Sequence, residues 1–208
     1  VDHNCEHPAE LFIISGPSGA GKGTICSRIL EERGGIELSV SATTRQPREG
    51  EVEGVNYFFI DKPEFERRIG EGGFLEFAEV YGNYYGTPKA KVLEKMAEGK
   101  DVLLEIDIQG AMKVKESYPE GIFIFILPPS KAELRRRLEG RGTDTQEVIE
   151  ARLAKTMEEI RQIHGYDYFI VNDDLDQAVY EALAIISAEH DRVKDHGDEL
   201  IRMFEEEK

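Results

Sequence analysis

The apolar run Leu11-Phe12-Ile13-Ile14 is followed, after one serine, by Gly16-Pro17-Ser18-Gly19-Ala20-Gly21-Lys22, and helical character then covers Ile25 to Glu32. A short, continuously apolar strand that meets a glycine-rich loop and then a helix belongs to a parallel α/β architecture, because such a strand must be covered on both faces. The loop also carries chemistry. Its glycines let successive backbone N–H groups turn toward an anion, the helix N-terminus adds positive dipole, and Lys22 supplies a point charge for the outer phosphates of a nucleotide. The pattern G-x-x-x-x-G-K-[ST] departs at one place. Gly23 stands where a hydroxyl would meet magnesium, and Thr24 follows, so the metal would be held through Thr24 or through water.

The remainder of the chain repeats the alternation. Ile36 to Val40 reads as a short strand, and Tyr57 to Ile60 as another. Lys62 to Gly70 reads as a helix and Phe74 to Val80 as a strand, with Phe74, Glu76, Ala78 and Val80 on one face. Pro88 opens a helix capped by Thr87 and running to about Glu98. Asp101 to Asp107 reads as an apolar strand whose carboxylates Glu105 and Asp107, two residues apart, share a face. Helices follow over Gln109 to Tyr118, Lys131 to Glu139 and Thr145 to Ile163, with strands at Gly121 to Leu127 and Tyr166 to Val171. A final helix runs from about Leu175 to Val193, capped by Asp173 or Asp174. Strands and helices in this spacing give a parallel sheet with right-handed crossovers.

Charge separates the classes of ligand. With 42 acidic and 26 basic residues in 208, the formal charge is −16, which opposes binding to nucleic acid or to an anionic membrane. Within that acidic chain, Lys131 to Arg141 holds five basic residues against two acidic ones. That concentration suits a small anion. No run is long enough to span a bilayer, no targeting pattern opens the chain, and Cys5 and Cys26 have no metal or redox spacing, so a reducing cytoplasm is expected. Residues 1–9 read as a disordered end.

Several segments carry candidate binding groups with two open readings each. Arg45 and Arg48, beside Pro47, can grip a phosphate with forked donors, or can stand in a solvated loop. Glu76 is either a ligand group or an exposed acid on an edge strand. Glu105 and Asp107 can order magnesium-bound water or bond a ribose, or can pair with neighbouring loops. Gly140 and Gly142 flank Arg141 and suggest a hinge. Arg137 shares a helix face with Arg141, and Arg152 can return to meet them. Arg135 and Arg136 read as surface ion-pair partners. Asn172, at a strand end, can bond a base.

Taken together, GPSGAGKGT, SATTRQPREGEVEGVNYFF, LEFAEVYGNYYGTP, EIDIQG, LRRRLEGRGTD and VNDDL closely resemble the guanylate kinases, in the family's order over about residues 10 to 190. The resemblance implies phosphoryl transfer from ATP to GMP, and to dGMP, with Mg2+, in a monomer or homodimer. It implies a P-loop core (10–38, 97–136 and 166–208) with parallel sheet, an inserted GMP-binding lobe (39–96) and a helical lid (137–165).

By the same resemblance, Gly16, Pro17, Ser18, Gly19, Ala20, Gly21, Lys22, Gly23, Thr24 and Asn172 would hold ATP. Arg45, Arg48, Tyr57 and Tyr85 would hold the GMP phosphate, Ser41, Glu76 and Thr87 the guanine, and Glu105 and Asp107 the ribose. Thr24 would meet magnesium directly or through water, and Asp107 through water. Lys22, Arg45, Arg137, Arg141 and Arg152 would surround the transferring group. The carboxylate assignment is chemically apt, since guanine presents N1–H and N2–H as adjacent donors where adenine presents a lone pair. Two other readings share the outline: a scaffold module of the same fold, against which the intact Lys22, Arg45, Arg48, Arg141 and Arg152 speak, and a kinase for another nucleoside monophosphate, suggested only by GKGT.

Overall fold

The computed structural model describes residues 8–80, 82–140 and 146–193, together with 197, 201, 202 and 205, and excludes the side chains of Val148, Arg152 and Lys155. The expected disorder of 1–9 therefore falls largely outside the described residues. Strand β1 (Leu11–Ser15) is fully buried and leads through the glycine loop into helix α1 (Lys22–Glu32). The helix begins three residues before the sequence reading placed it, because Gly21 caps it in a left-handed conformation and Lys22 already has helical geometry.

Five parallel strands form the main sheet. They are β1, β2 (Ile36–Leu38), β7 (Asp101–Glu105), β8 (Ile122–Leu127) and β9 (Tyr168–Val171), in the order β2-β7-β1-β8-β9. Strand order reverses at β1, with β2 and β7 on one side and β8 and β9 on the other, so a crevice opens beyond its carboxyl end. Alternation along β1 feeds two hydrophobic layers. Phe12 and Ile14 pack with Ile25, Ile29, Val179 and Ile186 of α1 and α7 (Leu175–His190), while Leu11 and Ile13 pack with Val92, Ala111 and Val114 of α3 (Lys89–Ala97) and α4 (Ile108–Ser117).

A second sheet, β4-β3-β6-β5, is built from β3 (Ala42–Thr43), β4 (Phe58–Phe59), β5 (Phe74–Val80) and β6 (Asn83–Pro88), and is covered by α2 (Lys62–Gly70). Phe65 of α2 fills its centre, stacked on Phe74 at 4.2 Å and Tyr84 at 5.2 Å between ring centroids. Helices α5 (Lys131–Glu139) and α6 (Gln146–Ile160) close a small cluster of Leu134, Leu138, Ile149 and Leu153, and a 3-10 turn follows over Arg161–Gly165. Among the described residues, no helix is long and apolar enough to cross a membrane.

Three local readings are corrected by the tertiary structure. Strict alternation in β5 fails because the register slips between Phe74, opposite Pro88, and Phe77, opposite Gly86. This bulge buries both Phe74 and Leu75, and Glu76 sits inside it. Thr87 does not cap α3; it lies in β6, and the helix begins at Lys89 after Pro88. Asp107 is not a strand residue sharing a face with Glu105, since β7 ends at Glu105 and Asp107 caps α4, accepting a hydrogen bond from the Gly110 N–H at 2.7 Å.

Candidate active site

The glycine loop is shaped by its neighbours. Gly16 has φ +149, and a side chain there would put Cβ 2.3 Å from the Ile126 carbonyl oxygen; at Gly21 it would meet the Asn172 amide at 2.3 Å. That amide donates to the Ala20 carbonyl at 2.8 Å, so buried Asn172 ties the loop to the end of β9. Lys22 donates to the carbonyls of Gly16 at 2.7 Å and Pro17 at 3.2 Å. Desolvation lowers its pKa, while Glu105, Glu159 and Asp107 oppose that shift. Pro17 is buried, Ser18 exposed, and Gly23 and Thr24 lie exposed in the first turn of α1.

Gly23 leaves room for Glu105, whose carboxylate oxygens lie 3.4 and 3.5 Å from where a Cβ would stand. The Thr24 hydroxyl and the Glu105 and Asp107 carboxylates are hard oxygen donors of the kind magnesium prefers, and so fit that ion held in part by phosphates and water. Cys26, one turn along α1, is a buried free thiol whose pKa burial pushes up to about 12, helped by Glu105.

Across from the loop, the second sheet gathers the other candidates. The Thr87 hydroxyl donates to Glu76 Oε1 at 2.8 Å. Burial raises the Glu76 carboxyl above the usual range against the hydrogen bond from Thr87; Asp107 raises it further and Lys113 opposes. Asp107 Oδ1 and Glu76 Oε2 both flank Gly110, 3.3 and 3.5 Å from where a Cβ would stand there. The Ser41 carbonyl accepts from the Phe58 N–H at 2.9 Å, which joins β3 to β4. Arg45 lies over the Tyr57 ring at 5.5 Å, and the Tyr57 and Tyr85 rings meet edge to face at 6.0 Å. Arg48 is exposed in the loop between β3 and β4.

In the α5–α6 region, Arg137 donates to Glu133 at 2.8 Å and to the Asn172 carbonyl at 2.8 Å, which turns it toward the glycine loop. Arg135 pairs with Glu150 at 2.6 Å and Arg136 with Glu133 at 2.7 Å, as surface partners. Arg141 lies outside the described residues, and so does the side chain of Arg152. Sequence reasoning missed Glu51, Lys113 and Tyr166. Glu51 had a signal in its spacing from Arg45 and Arg48, at three-residue steps; Lys113 had none, because it reaches the site only through α4, where it donates to the Phe77 carbonyl at 2.6 Å. The Tyr166 hydroxyl is buried near Ser15, and its pKa is raised to about 12, chiefly by desolvation.

The family model described as "Guanylate kinase" matches residues 9–189. The guanylate kinase of Clostridioides difficile is 55% identical, over 95% of this chain and 96% of its own length. That of Caldanaerobacter subterraneus is 56% identical over 94% and 95%. Among solved structures, the crystal structure of guanylate kinase from Anaplasma phagocytophilum superposes with a TM-score of 0.69 at 37% identity, covering 91% of this chain and 90% of that one.

Proposed function

The chain belongs to the guanylate kinase family, and from that premise we propose how its residues divide the work of moving a phosphoryl group from ATP to GMP. The reaction forms GDP and ADP. Its acceptor is a phosphate already largely anionic at neutral pH, so the protein must bring two anions together and needs no general base. Positioning and charge neutralisation carry the catalysis.

The loop from Gly16 to Thr24 cradles the ATP phosphates, with Lys22 leaving its carbonyl partners to reach the outer ones. Arg137, Arg141 and Arg152 complete the positive surround of the transferring group. Thr24, directly or through water, and Asp107, through water, would hold magnesium, with Glu105 ordering its water; the ion would supply neutralisation of phosphate charge. Glu105 and Asp107 also bond the acceptor ribose, and the site accepts dGMP as well as GMP. Arg45, Arg48, Tyr57 and Tyr85 grip the acceptor phosphate. Glu76, with Thr87 and Ser41, reads guanine by accepting N1–H and N2–H in parallel. Asn172 serves the adenine end through its place beside the loop.

Residues 39–96 form the GMP lobe and 137–165 the lid, on a core of 10–38, 97–136 and 166–208; their closure excludes water and suppresses ATP hydrolysis. The free, buried thiol of Cys26 suits work in the cytoplasm. The observation that carries the acceptor assignment is the Glu76–Thr87 pair, held in a bulge of β5.

The test is ADP release by the purified protein with ATP and magnesium, comparing GMP, AMP, CMP and UMP. Turnover confined to GMP supports the reading. Equal turnover with AMP removes Glu76 from its role.

A further inference from the structure

The loop between β3 and β4 contains a carboxylate to which nothing above gives a part. Glu51 faces Arg45 in a two-pronged pair, with Nη2 donating to Oε1 at 2.8 Å and Nη1 to Oε2 at 3.0 Å. The same Oε2 accepts the backbone N–H of Arg48 at 2.7 Å, and the Glu51 N–H returns a bond to the Arg48 carbonyl at 3.1 Å. Both side chains of the pair are well shielded, at 15% and 19% exposure. One carboxylate therefore fixes the side chain of one arginine and the backbone of the other.

A guanidinium has five N–H donors in one plane. Nη1 spends its two on Glu51 and on the Gln46 carbonyl, the latter at 2.7 Å, and Nη2 spends one on Glu51. The two that remain, Nε–H and the second Nη2–H, lie parallel on the adjoining edge, where the guanidinium also meets the Tyr85 hydroxyl; shared with that hydroxyl, this edge is the fork that accepts two oxygens of a phosphate. The plane itself is held by the rings of Tyr57 at 5.5 Å and Phe59 at 6.0 Å. Glu51 consequently occupies the end of the guanidinium and leaves the side edge to Tyr85 and an anion.

We propose that Glu51 is a positioning residue for the acceptor phosphate, locking Arg45 by its far edge and Arg48 by its backbone so that a phosphate meets an arginine already aimed. This rests on the reading that Arg45 meets the GMP phosphate. Replacing Glu51 by glutamine puts an amide donor against a guanidinium donor and frees the plane to turn, without touching the guanine-reading residues.

Calorimetric titration of Glu51→Gln, Glu51→Ala and Arg45→Gln with GMP and with guanosine separates the possibilities. Guanosine carries the base without the phosphate. For Glu51→Gln the GMP dissociation constant should rise about tenfold, the scale of one charge-assisted hydrogen bond, with guanosine affinity and the KM for ATP unchanged. Glu51→Ala should be at least as impaired; if it does not fold, Glu51→Gln carries the test. Wild-type GMP affinity in Glu51→Gln, beside a clear loss in Arg45→Gln, overturns the role of Glu51 alone. Equal losses for GMP and guanosine overturn it too, by exposing a general structural effect. An Arg45→Gln protein that keeps full GMP affinity overturns the phosphate reading beneath it.

Discussion

On the proposed reading, Glu76 accepts two donors from guanine only when ionised, in surroundings that disfavour ionisation. Burial holds its carboxyl above the usual range, so the folded protein keeps this proton more tightly than the unfolded chain does. The contribution of Glu76 to stability is therefore full at low pH and is lost as pH rises through its folded value. Glu76→Gln should melt above the wild type at neutral pH, with the gap narrowing in acid, while its kcat/KM preference for GMP over AMP falls by as much as about 10⁴-fold. Thermal melts across pH and paired acceptor kinetics check both halves. Gly16 offers a second test at this scale. Its φ of +149 and the Ile126 carbonyl leave no place for a methyl group, so Gly16→Ala should lose about 2 kcal/mol or more in urea unfolding.

Among the elements, the second sheet depends on one aromatic stack. Phe65 is wholly buried between Phe74 and Tyr84, and Phe65→Ala should cost about 3–5 kcal/mol. Hydrogen exchange should place the loss in β3 to β6 and leave β1 and β8 protected. The elements differ in how far sequence discloses them. Helices α2 and α5 obey local rules of spacing and are legible in the chain; the structure adds their caps, Asp61 and Ser130. The bulge at Glu76 is not legible, because a register slip belongs to the pairing of two strands and has no mark on either alone. Asp107 follows an apolar run and reads as its last residue; what ends the strand before it is the start of α4. In the site, the glycine loop was legible because its residues are contiguous. The Glu76–Thr87 pair was recoverable only through family resemblance, since 11 positions separate residues that face each other.

For the whole molecule, the two sides of the second sheet differ in attachment. Strand β5 lies along α4, Ser117 of α4 donates to the Leu75 carbonyl at 2.8 Å, and Leu75 belongs to the same hydrophobic cluster as Leu11 and Ile13. Arg45, Arg48 and Glu51 lie at the far side, beside β3 and β4. In the closure proposed above, the sheet would bend between a wall fixed to the core, which holds Glu76, and a flap that holds the arginines. Solution scattering should show compaction with GMP and with a bisubstrate analogue, and none with guanosine; compaction with guanosine would place the bend elsewhere. The anchoring of Leu75 and Ser117 also has a kinetic consequence. Once salt screens the pull of the arginines on a phosphate, a ligand that docks its base on a stationary wall arrives at a rate set by that wall. Its residence time is set by the flap, so GMP and guanosine should share an association rate constant and part company in how long they stay.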